Sequence, residues 1–195
     1  MFVQVIKGRA KDAAAVLAQG EKWDTEVRPG AIGHQGGTFG VSDDGTLIVV
    51  ARFEDEAAAN ANSQRPEQSA WWSEMEPLLE GVTFRGSSDT STLFGGPSDR
   101  AGFVQIMEGT APDRAKAEAL ETPELEARLR EARPDLLGSL RVWFDGGDYV
   151  EAAYFMSEAE ARKGESSTDF EGDQVDMEAM FGSPTYIDLK DPQHS

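Results

Sequence analysis

The segment FVQVIKGRAKD at residues 2–12 recurs as FVQIMEGTAPD at residues 103–113. Six of the eleven positions are identical, including a glutamine in the middle of each apolar run. The spacing is too long for a solenoid unit, whose period is roughly 20–50 residues. The chain of 195 residues therefore contains a duplicated small domain.

Further matches extend this repeat through both halves of the chain. RPGAIG at 28–33 corresponds to RPDLLG at 133–138, and FEDEA at 53–57 corresponds to FMSEA at 155–159. The small changes in offset fall in loops, where insertions are tolerated. We therefore predict a first repeat at residues 1–94, a linker at 95–100 and a second repeat at 101–195.

Each half shows the same order of secondary-structure signals. In the first half, apolar alternation and helical spacing predict a strand at 2–7, a helix at 11–27, strands at 31–41 and 46–53, a helix at 56–79 and a strand at 82–85. The second half predicts strands at 102–107, 136–144, 149–155 and 184–189, with helical segments at 113–132 and 157–181. Asp44-Gly45 is a hairpin signal, and Pro66 and Thr122-Pro123 are signals for new helix starts. Residues 90–94 are predicted as an extra edge strand that reaches across to the other half.

The predicted order, β-α-β-β-α-β, is that of the ferredoxin-like split unit. The fold class is therefore α+β, with two tandem βαββαβ repeats. A sheet with helices on one face leaves its other apolar face in need of a partner. We expect the two sheets to supply that partner to each other, so that the chain is an intramolecular pseudo-dimer, either monomeric or a weak homo-oligomer.

The composition excludes several function classes. The formal net charge of −18 argues against binding to nucleic acid or to anionic membranes. No segment approaches the length of a membrane span. The chain opens directly with a strand, so we expect no signal peptide and a cytoplasmic location. The absence of cysteine excludes disulfides, thiolate catalysis and cysteine-ligated metals.

Histidine is nearly absent, with His34 in the second strand and His194 at what we expect to be a frayed end. A histidine-based zinc or haem site needs more, and the acidic clusters lack an EF-hand pattern. We therefore expect no metal and no cofactor. A lone His34 is more typical of a strand surface than of a catalyst, and the glycine-rich residues 33–38 do not open a helix as a phosphate loop would.

The segment NANSQRPEQSAWW at residues 60–72 is the unusual part of the sequence. Adjacent residues on a helix point about 100° apart, so Trp71 and Trp72 face different directions. Both rings could cap a small core. Alternatively, one ring lines a pocket with Asn62, Gln64 and Arg65 at its mouth.

Comparison of the two halves favours the pocket. At a constant offset, Asn62 corresponds to Gly164, Trp71 to Asp173 and Trp72 to Gln174, whereas the core markers keep apolar counterparts. If Trp71 and Trp72 only packed the shared scaffold, their counterparts in the second half should have stayed apolar. The loss predicts that only the first repeat carries this pocket wall, unless residues 169–176 form a loop whose core role is replaced elsewhere.

Two further polar residues are predicted near the same region. Gln4 and Gln105 occupy equivalent places in the opening strands, where each forms either a structural pair across the sheet or a donor to a ligand. Arg52, at the end of the third strand, is a candidate to project into the same space. Gln4, His34, Arg52 and Arg65 form the predicted ligand-binding set.

These features resemble the dimeric α/β-barrel superfamily, in particular its antibiotic biosynthesis monooxygenase-like group and tandem members of actinobacterial type. The residues that carry the resemblance are the opening strand, PGAIG at 29–33, the Asp44-Gly45 hairpin and RFEDEA at 52–57. The resemblance implies two βαββαβ units whose sheets form a barrel, with a cavity between sheet and helices in each unit.

The resemblance also implies two hypotheses for function. Some relatives oxidise aromatic polyketides with molecular oxygen and no cofactor, using an Asn and a Trp in the region of the second helix. Asn62 and Trp71 or Trp72 match these by type and region, so the first hypothesis is a cofactor-independent monooxygenase acting on a small aromatic substrate. The second is a non-catalytic, ligand-binding or stress-related protein with the same pocket. Haem chemistry is disfavoured because no histidine occupies the second-helix region.

Overall fold

The computed structural model describes residues 1–119, 121–166 and 177–195, with residues 177 and 178 described by their backbone only. The predicted fold class is confirmed: two five-stranded antiparallel sheets with helices, arranged as two tandem ferredoxin-like repeats. The compact units are Met1–Thr90 with Leu189–Ser195, and Ser91–Asp188. The repeat boundaries at residues 94 and 101 stay a prediction about how the sequence was duplicated.

The first unit contains one complete βαββαβ repeat and one added strand. Its elements are β1 Phe2–Ala10, α1 Ala13–Lys22, β2 His34–Val41, β3 Thr46–Phe53, α2 Glu56–Ser63, α3 Pro66–Met75, β4 Leu79–Ser87 and β10 Gln193–His194. The strand order is β10-β2-β3-β1-β4. Removing the added strand leaves the order expected of the split βαβ unit.

Local chemistry explains where the helices of this unit begin and end. Asp12 Oδ1 accepts a hydrogen bond from the Ala15 amide at 3.1 Å, and Asp55 Oδ1 accepts one from the Ala58 amide at 2.8 Å. These are N-caps, which satisfy amides that have no partner inside the helix. The predicted helix at 56–79 is two helices because Pro66 cannot continue the first one.

The first predicted helix, at 11–27, does not stay α-helical to its end. It passes into a π-helical turn at Trp23–Val27 and then into a 3₁₀ turn at Arg28–Gly30. Single π-helical turns are rare and are found frequently at functional sites. The turn brings Trp23 and Asp24 to the cavity described below.

The second unit repeats this arrangement with its own added strand. Its elements are β5 Thr90–Leu93, β6 Phe103–Thr110, α4 Arg114–Ala119, α5 Pro123–Ala132, β7 Leu136–Trp143, β8 Asp148–Phe155, α6 Glu158–Glu165, α7 Met177–Phe181 and β9 Thr185–Lys190. The strand order is β5-β7-β8-β6-β9. Thr122 caps α5 by accepting a hydrogen bond from the Leu125 amide at 3.2 Å, as its position before a proline predicts.

The fifth strand of each sheet comes from the far end of the other repeat. β5 follows the first repeat in the sequence but pairs in the second sheet, which confirms the edge strand predicted at 90–94. β10 follows the second repeat but pairs with β2, placing Gln193 opposite Phe39 and His194 opposite Thr38. The expectation that His194 lies in a frayed end is therefore wrong, because backbone pairing with β2 orders this segment.

The strand registers confirm the sequence alignment of β1 with β6 and of β3 with β8, whereas β2 and β7 align three residues away from the match of 28–33 with 133–138. Gln4 lies opposite Ala51, and Gln105 lies opposite Ala153. No helix in the described ranges is both long and apolar enough to cross a membrane.

Candidate functional site

The first unit contains a cavity of about 350 Å³ between its sheet and its helices. Much of its wall is aromatic, contributed by Trp23, His34, Phe39, Phe53, Trp71 and Trp72. Polar groups reach it from Gln4 on β1, Asn62 at the end of α2 and Gln68 on α3. An apolar cavity with a few convergent polar groups is the usual form of a small-molecule site.

Side-chain alternation along the strands decides which residues form the cavity floor. Successive side chains on a strand point to opposite faces. Ala51 and Phe53 on β3 face the cavity, and their register partners Gln4 on β1 and His34 on β2 face it too. Arg52 lies between Ala51 and Phe53 in sequence and therefore points to the other face.

Of the seven predicted site residues, five line this one cavity: Gln4, His34, Asn62, Trp71 and Trp72. Arg52 and Arg65 are not part of its lining. Arg52 extends over Gly36, where an added Cβ would lie 2.1 Å from its Nη2 atom. Arg65 contacts Asn62, which lines the cavity.

Asn62 is buried, with 4% of its surface exposed, although it lines the cavity. Arg65 Nη1 donates hydrogen bonds to Asn62 Oδ1 at 3.2 Å and to the Val27 carbonyl at 3.1 Å. Because Oδ1 is occupied in this way, Nδ2 is the end of the amide that remains to donate. Within the described part of the chain, Nδ2 has no hydrogen-bond partner.

The two adjacent tryptophans serve both of the roles that the sequence left open. Both rings pack against the core cluster of Val16, Leu47 and Met75, and both line the cavity. Trp71 Nε1 donates to the Gln19 carbonyl at 2.8 Å, which fixes its ring. Trp72 makes an edge contact with Phe84, with ring centroids 5.3 Å apart.

His34 lies at the start of β2 between two aromatic rings. Its ring centroid is 5.1 Å from that of Trp23 and 5.6 Å from that of Phe53, both in edge geometry. Burial lowers the pKa of His34, and the positive charges of Arg28 and Arg52 lower it further against an opposing effect of Asp24. The imidazole is therefore neutral at pH 7.

Several residues that line the cavity were not identified as site residues from the sequence. Trp23 lies within the helix predicted at 11–27, and its Nε1 donates a hydrogen bond to Gln68 Oε1 at 2.8 Å; both residues line the cavity. Residues 193–195 line the cavity because β10 pairs with β2. Trp23 could have been found as an aromatic residue in the last turn before the Arg28-Pro29 stop signal. The pairing of β10 with β2 could not, because a long-range strand pairing leaves no local signal.

The second unit has a cavity of about 1130 Å³ at the equivalent place on its sheet. Gln105, Met107, Ala153 and Phe155 line it, as their counterparts Gln4, Ile6, Ala51 and Phe53 line the first. The equivalents of Trp71 and Trp72, Asp173 and Gln174, lie outside the described residues. That the tryptophan wall belongs to the first repeat alone therefore stays a prediction.

The floor of the second cavity has a different chemistry. Arg141 and Glu151 stand where the first repeat has Phe39 and Val49. Arg141 Nη2 lies 2.6 Å from Glu151 Oε2, and both side chains are about nine-tenths buried. Arg141 Nη1 also lies 2.5 Å from Glu121 Oε1. A buried ion pair thus replaces an apolar pair.

The equivalent of Asn62 is also different. A Cβ added at Gly164 would lie 2.2 Å from Arg133 Nε, so this glycine leaves the space that the guanidinium group fills. Arg133 in turn pairs with Asp135 at 2.8 Å. The second cavity therefore has no amide donor at the position of Asn62.

The two equivalent glutamines also differ in their partners. Gln105 Nε2 donates to Asp188 Oδ1 at 3.2 Å and to Glu165 Oε1 at 3.3 Å, so it forms a structural network. The sequence equivalents of Asp188 and Glu165 in the first repeat are Gly86 and Ser63. Gln4 consequently lacks these acidic partners and presents its amide to the cavity.

Comparison with known proteins relates this architecture to solved structures. No family model and no curated protein sequence matches the chain. A candidate monooxygenase from Lactobacillus acidophilus NCFM superposes with a TM-score of 0.72 at 11% identity, covering 96% of this chain and 92% of that one. An anthrone oxidase-like protein superposes with a TM-score of 0.66 at 11% identity, covering 100% and 92%.

What these proteins share with the chain is the fold. The fold that the resemblance implied, two tandem βαββαβ units, is confirmed by these superpositions. A major regulator of staphylococcal pathogenesis has the same architecture, with a TM-score of 0.54 at 13% identity over 98% of this chain and 99% of that one. One fold therefore serves proteins of different function, and function must be argued from the site. Within the described ranges, no group of three or more His, Asp or Glu side chains is placed to hold a metal ion.

Proposed function

We propose that the first repeat is an oxygenase that binds a small aromatic molecule in its cavity and oxidises it with molecular oxygen, without a cofactor. The observation that carries the proposal is the buried Asn62, held by Arg65 so that its amide nitrogen is free to donate inside an aromatic cavity. The names of the structural neighbours, a candidate monooxygenase and an anthrone oxidase-like protein, support it.

The chemistry of such a reaction fits the residues of the cavity. An aromatic compound reacts with oxygen readily once it has become an electron-rich anion. In the proposed reaction, Asn62 Nδ2 donates a hydrogen bond to the oxygen on which this negative charge develops. A fixed donor in a site sheltered from water stabilises such an oxyanion strongly, because it needs no reorganisation during the reaction. Arg65 is the positioning residue that keeps the amide in this orientation.

The remaining wall determines what can enter. Trp72 and the fixed ring of Trp71 offer flat faces for a ligand ring, and edge or offset contacts between aromatic rings add about 0.5–1.5 kcal/mol each. The volume of about 350 Å³ lies near the lower end of the usual range of about 300–1,000 Å³. The cavity therefore favours a compact fused-ring ligand, and the Gln4 amide is available to orient its second oxygen or the O₂ molecule.

Oxygen uptake with a panel of hydroquinones and anthrones tests the proposal, with uncatalysed oxidation subtracted. Asn62→Ala should lower the rate by about 10²–10³-fold, the usual effect of removing an oxyanion donor. Asn60→Ala is the matched control, because Asn60 lies on the same helix but is exposed. Unchanged uptake in Asn62→Ala would remove Asn62 from the mechanism.

Ligand binding separates the two functional hypotheses. Quenching of tryptophan fluorescence by the same compounds reports occupation of the cavity whether or not reaction follows. Saturable quenching without oxygen uptake would replace the oxygenase by a non-catalytic binding protein. Absence of both signals would exclude a small-aromatic site in this cavity.

A further inference from the structure

His34 offers free ring nitrogens at the wall of the first cavity. Its ring is held by edge contacts to Trp23 and Phe53 and not by hydrogen bonds. Across residues 1–119, 121–166 and 177–195, neither ring nitrogen has a hydrogen-bond partner. Neither nitrogen is among the fully buried polar atoms without a partner, and His34 lines the cavity.

Gly37 and Ser195 both lie close to one of these nitrogens. A Cβ added at Gly37 would lie 3.6 Å from His34 Nε2 and 2.9 Å from Ser195 Oγ. Gly37 itself lines the cavity, on the same face of β2 as His34. Because Gly37 has no side chain, it leaves room for Ser195 Oγ near Nε2, and a ligand would approach His34 from the cavity that His34 lines.

The surroundings of His34 keep it in the form that accepts a proton. Burial and the charges of Arg28, on the 3₁₀ turn, and Arg52, on β3, lower its pKa, while Asp24 on the π-helical turn acts in the opposite direction. Asp24 is itself paired with Arg28, Nε to Oδ1, at 2.5 Å. The other ionisable groups that line the cavity are Glu21 and His194.

The second repeat shows that the scaffold does not need an imidazole here. Leu136 lies opposite Phe155 on β8, just as His34 lies opposite Phe53 on β3. Gly164 stands in the place of Asn62. The imidazole and the amide donor are therefore present together in the first cavity and absent together from the second.

We infer that His34 is the general base of the first cavity, taking a proton through Nε2 from a ring hydroxyl or activated ring methylene whose oxygen is bound by Asn62. This inference rests on the proposed function and names the class of ligand: an aromatic compound acidic enough to lose a proton to imidazole. A phenol and its keto tautomer give the same delocalised anion, so either tautomer is a substrate for this step.

Proton transfer breaks the O–H or C–H bond, leaves its electron pair on the ligand and places the proton on His34. The anion gives one electron to O₂, and the resulting ligand radical and superoxide join through a new C–O bond. His34 returns its proton to the terminal peroxide oxygen. Loss of the second proton from the same carbon to His34 then breaks the O–O bond, and the departing hydroxide takes that proton to form water. One ring methylene and one O₂ thus give one carbonyl and one water.

Binding of 4-nitrophenol tests the base directly, without oxygen chemistry, because its anion absorbs visible light. At a pH just below the pKa of the free phenol, the bound probe should be more ionised in the wild-type protein than in His34→Gln. His34→Gln should still quench and bind, since the aromatic walls remain. Gln35→Ala is the control, because Gln35 is the exposed neighbour on the same strand. Equal ionisation of the bound probe in wild type and His34→Gln would overturn the inference.

Oxygen uptake supplies the second readout. His34→Gln should lower the rate by about 10²–10⁴-fold, the usual contribution of a general base. In the wild type, the rate should fall as the pH drops through the lowered pKa of His34, and this acid limb should be missing in the variant. Added imidazole should partly restore the rate of His34→Ala, which a purely structural role would not allow. Oxygen uptake that is lost in Asn62→Ala but unaffected in His34→Gln would refute the role of His34 as general base and leave the proposed function intact.

Discussion

Replacement of Arg65 by methionine tests how the structure holds Asn62. Arg65 donates to Asn62 Oδ1 and to the Val27 carbonyl from a side chain that is 15% exposed. Methionine keeps much of the apolar stem but removes both hydrogen bonds. A buried acceptor left without its partner costs about 1–3 kcal/mol. With two such acceptors, and some access of water to the site, we expect the free energy of unfolding to fall by about 2–4 kcal/mol.

Urea unfolding measures this loss as a shift of the midpoint at constant m-value. Arg100→Met is the control, because Arg100 is exposed and a surface substitution changes stability by at most about 0.5 kcal/mol. Arg65→Met should also weaken binding of 4-nitrophenol, since the Asn62 amide is then free to rotate.

A double-mutant cycle with Asn62→Ala isolates the contact between the two side chains. Groups joined by a hydrogen bond show coupling energies of about 0.5–3 kcal/mol, and we expect about 1 kcal/mol for this one. A loss below about 0.5 kcal/mol in Arg65→Met, or strict additivity with Asn62→Ala, would show that Arg65 does not orient the amide.

Two further predictions concern the second repeat. Glu151→Val alone should lower the free energy of unfolding by about 3–5 kcal/mol, because it removes one partner of a buried ion pair. The double variant with Arg141→Phe, which has the residue types of the first repeat, should regain most of that loss in urea unfolding. A double variant as unstable as Glu151→Val would contradict this. Burial, and secondarily the charge of Glu151, raise the pKa of Tyr149 from 10.0 to about 12. The neutral phenol therefore stabilises the fold below pH 10, and this contribution is lost as the pH rises towards 12. Tyr149→Phe should accordingly lose less stability than the wild type between pH 10 and 12. An identical loss in the two proteins would show that Tyr149 does not titrate differently on folding.

Much of the fold follows from local signals in the sequence. Apolar alternation located the principal strands, and Asp44-Gly45 located a hairpin that the structure supports with a 3.0 Å hydrogen bond from the Thr46 amide to Asp44 Oδ1. Pro66 and Thr122 marked helix starts that the structure confirms. These signals work because caps, turns and prolines act through neighbours in the sequence.

The site could be predicted only in part, for reasons that differ from residue to residue. Asn62, Trp71 and Trp72 share one short segment, and the internal comparison identified it. The orientation of Arg52 was available from strand alternation, since Ala51 and Phe53 face the cavity. His194 reaches the cavity through a strand pairing across the length of the chain, and such pairing depends on register and burial that no local pattern specifies.

The positions at which the repeats differ show where function can reside on this scaffold. On the face of each sheet opposite the cavity, several equivalent buried pairs remain apolar, as in Val3 and Val104, Val5 and Ile106, and Val50 and Ala152, although Thr38 corresponds to Leu140. On the cavity face, polarity changes at Phe39 and Arg141, Val49 and Glu151, His34 and Leu136. These changes occur in pairs. In the second repeat, the cation Arg141 lies beside the anion Glu151, and the His34 imidazole and the Asn62 amide are both absent. A buried charge is tolerated only with its partner, so Arg141 and Glu151 must occur together. The first repeat instead has His34 and Asn62, which leave a base and a hydrogen-bond donor unoccupied in its cavity.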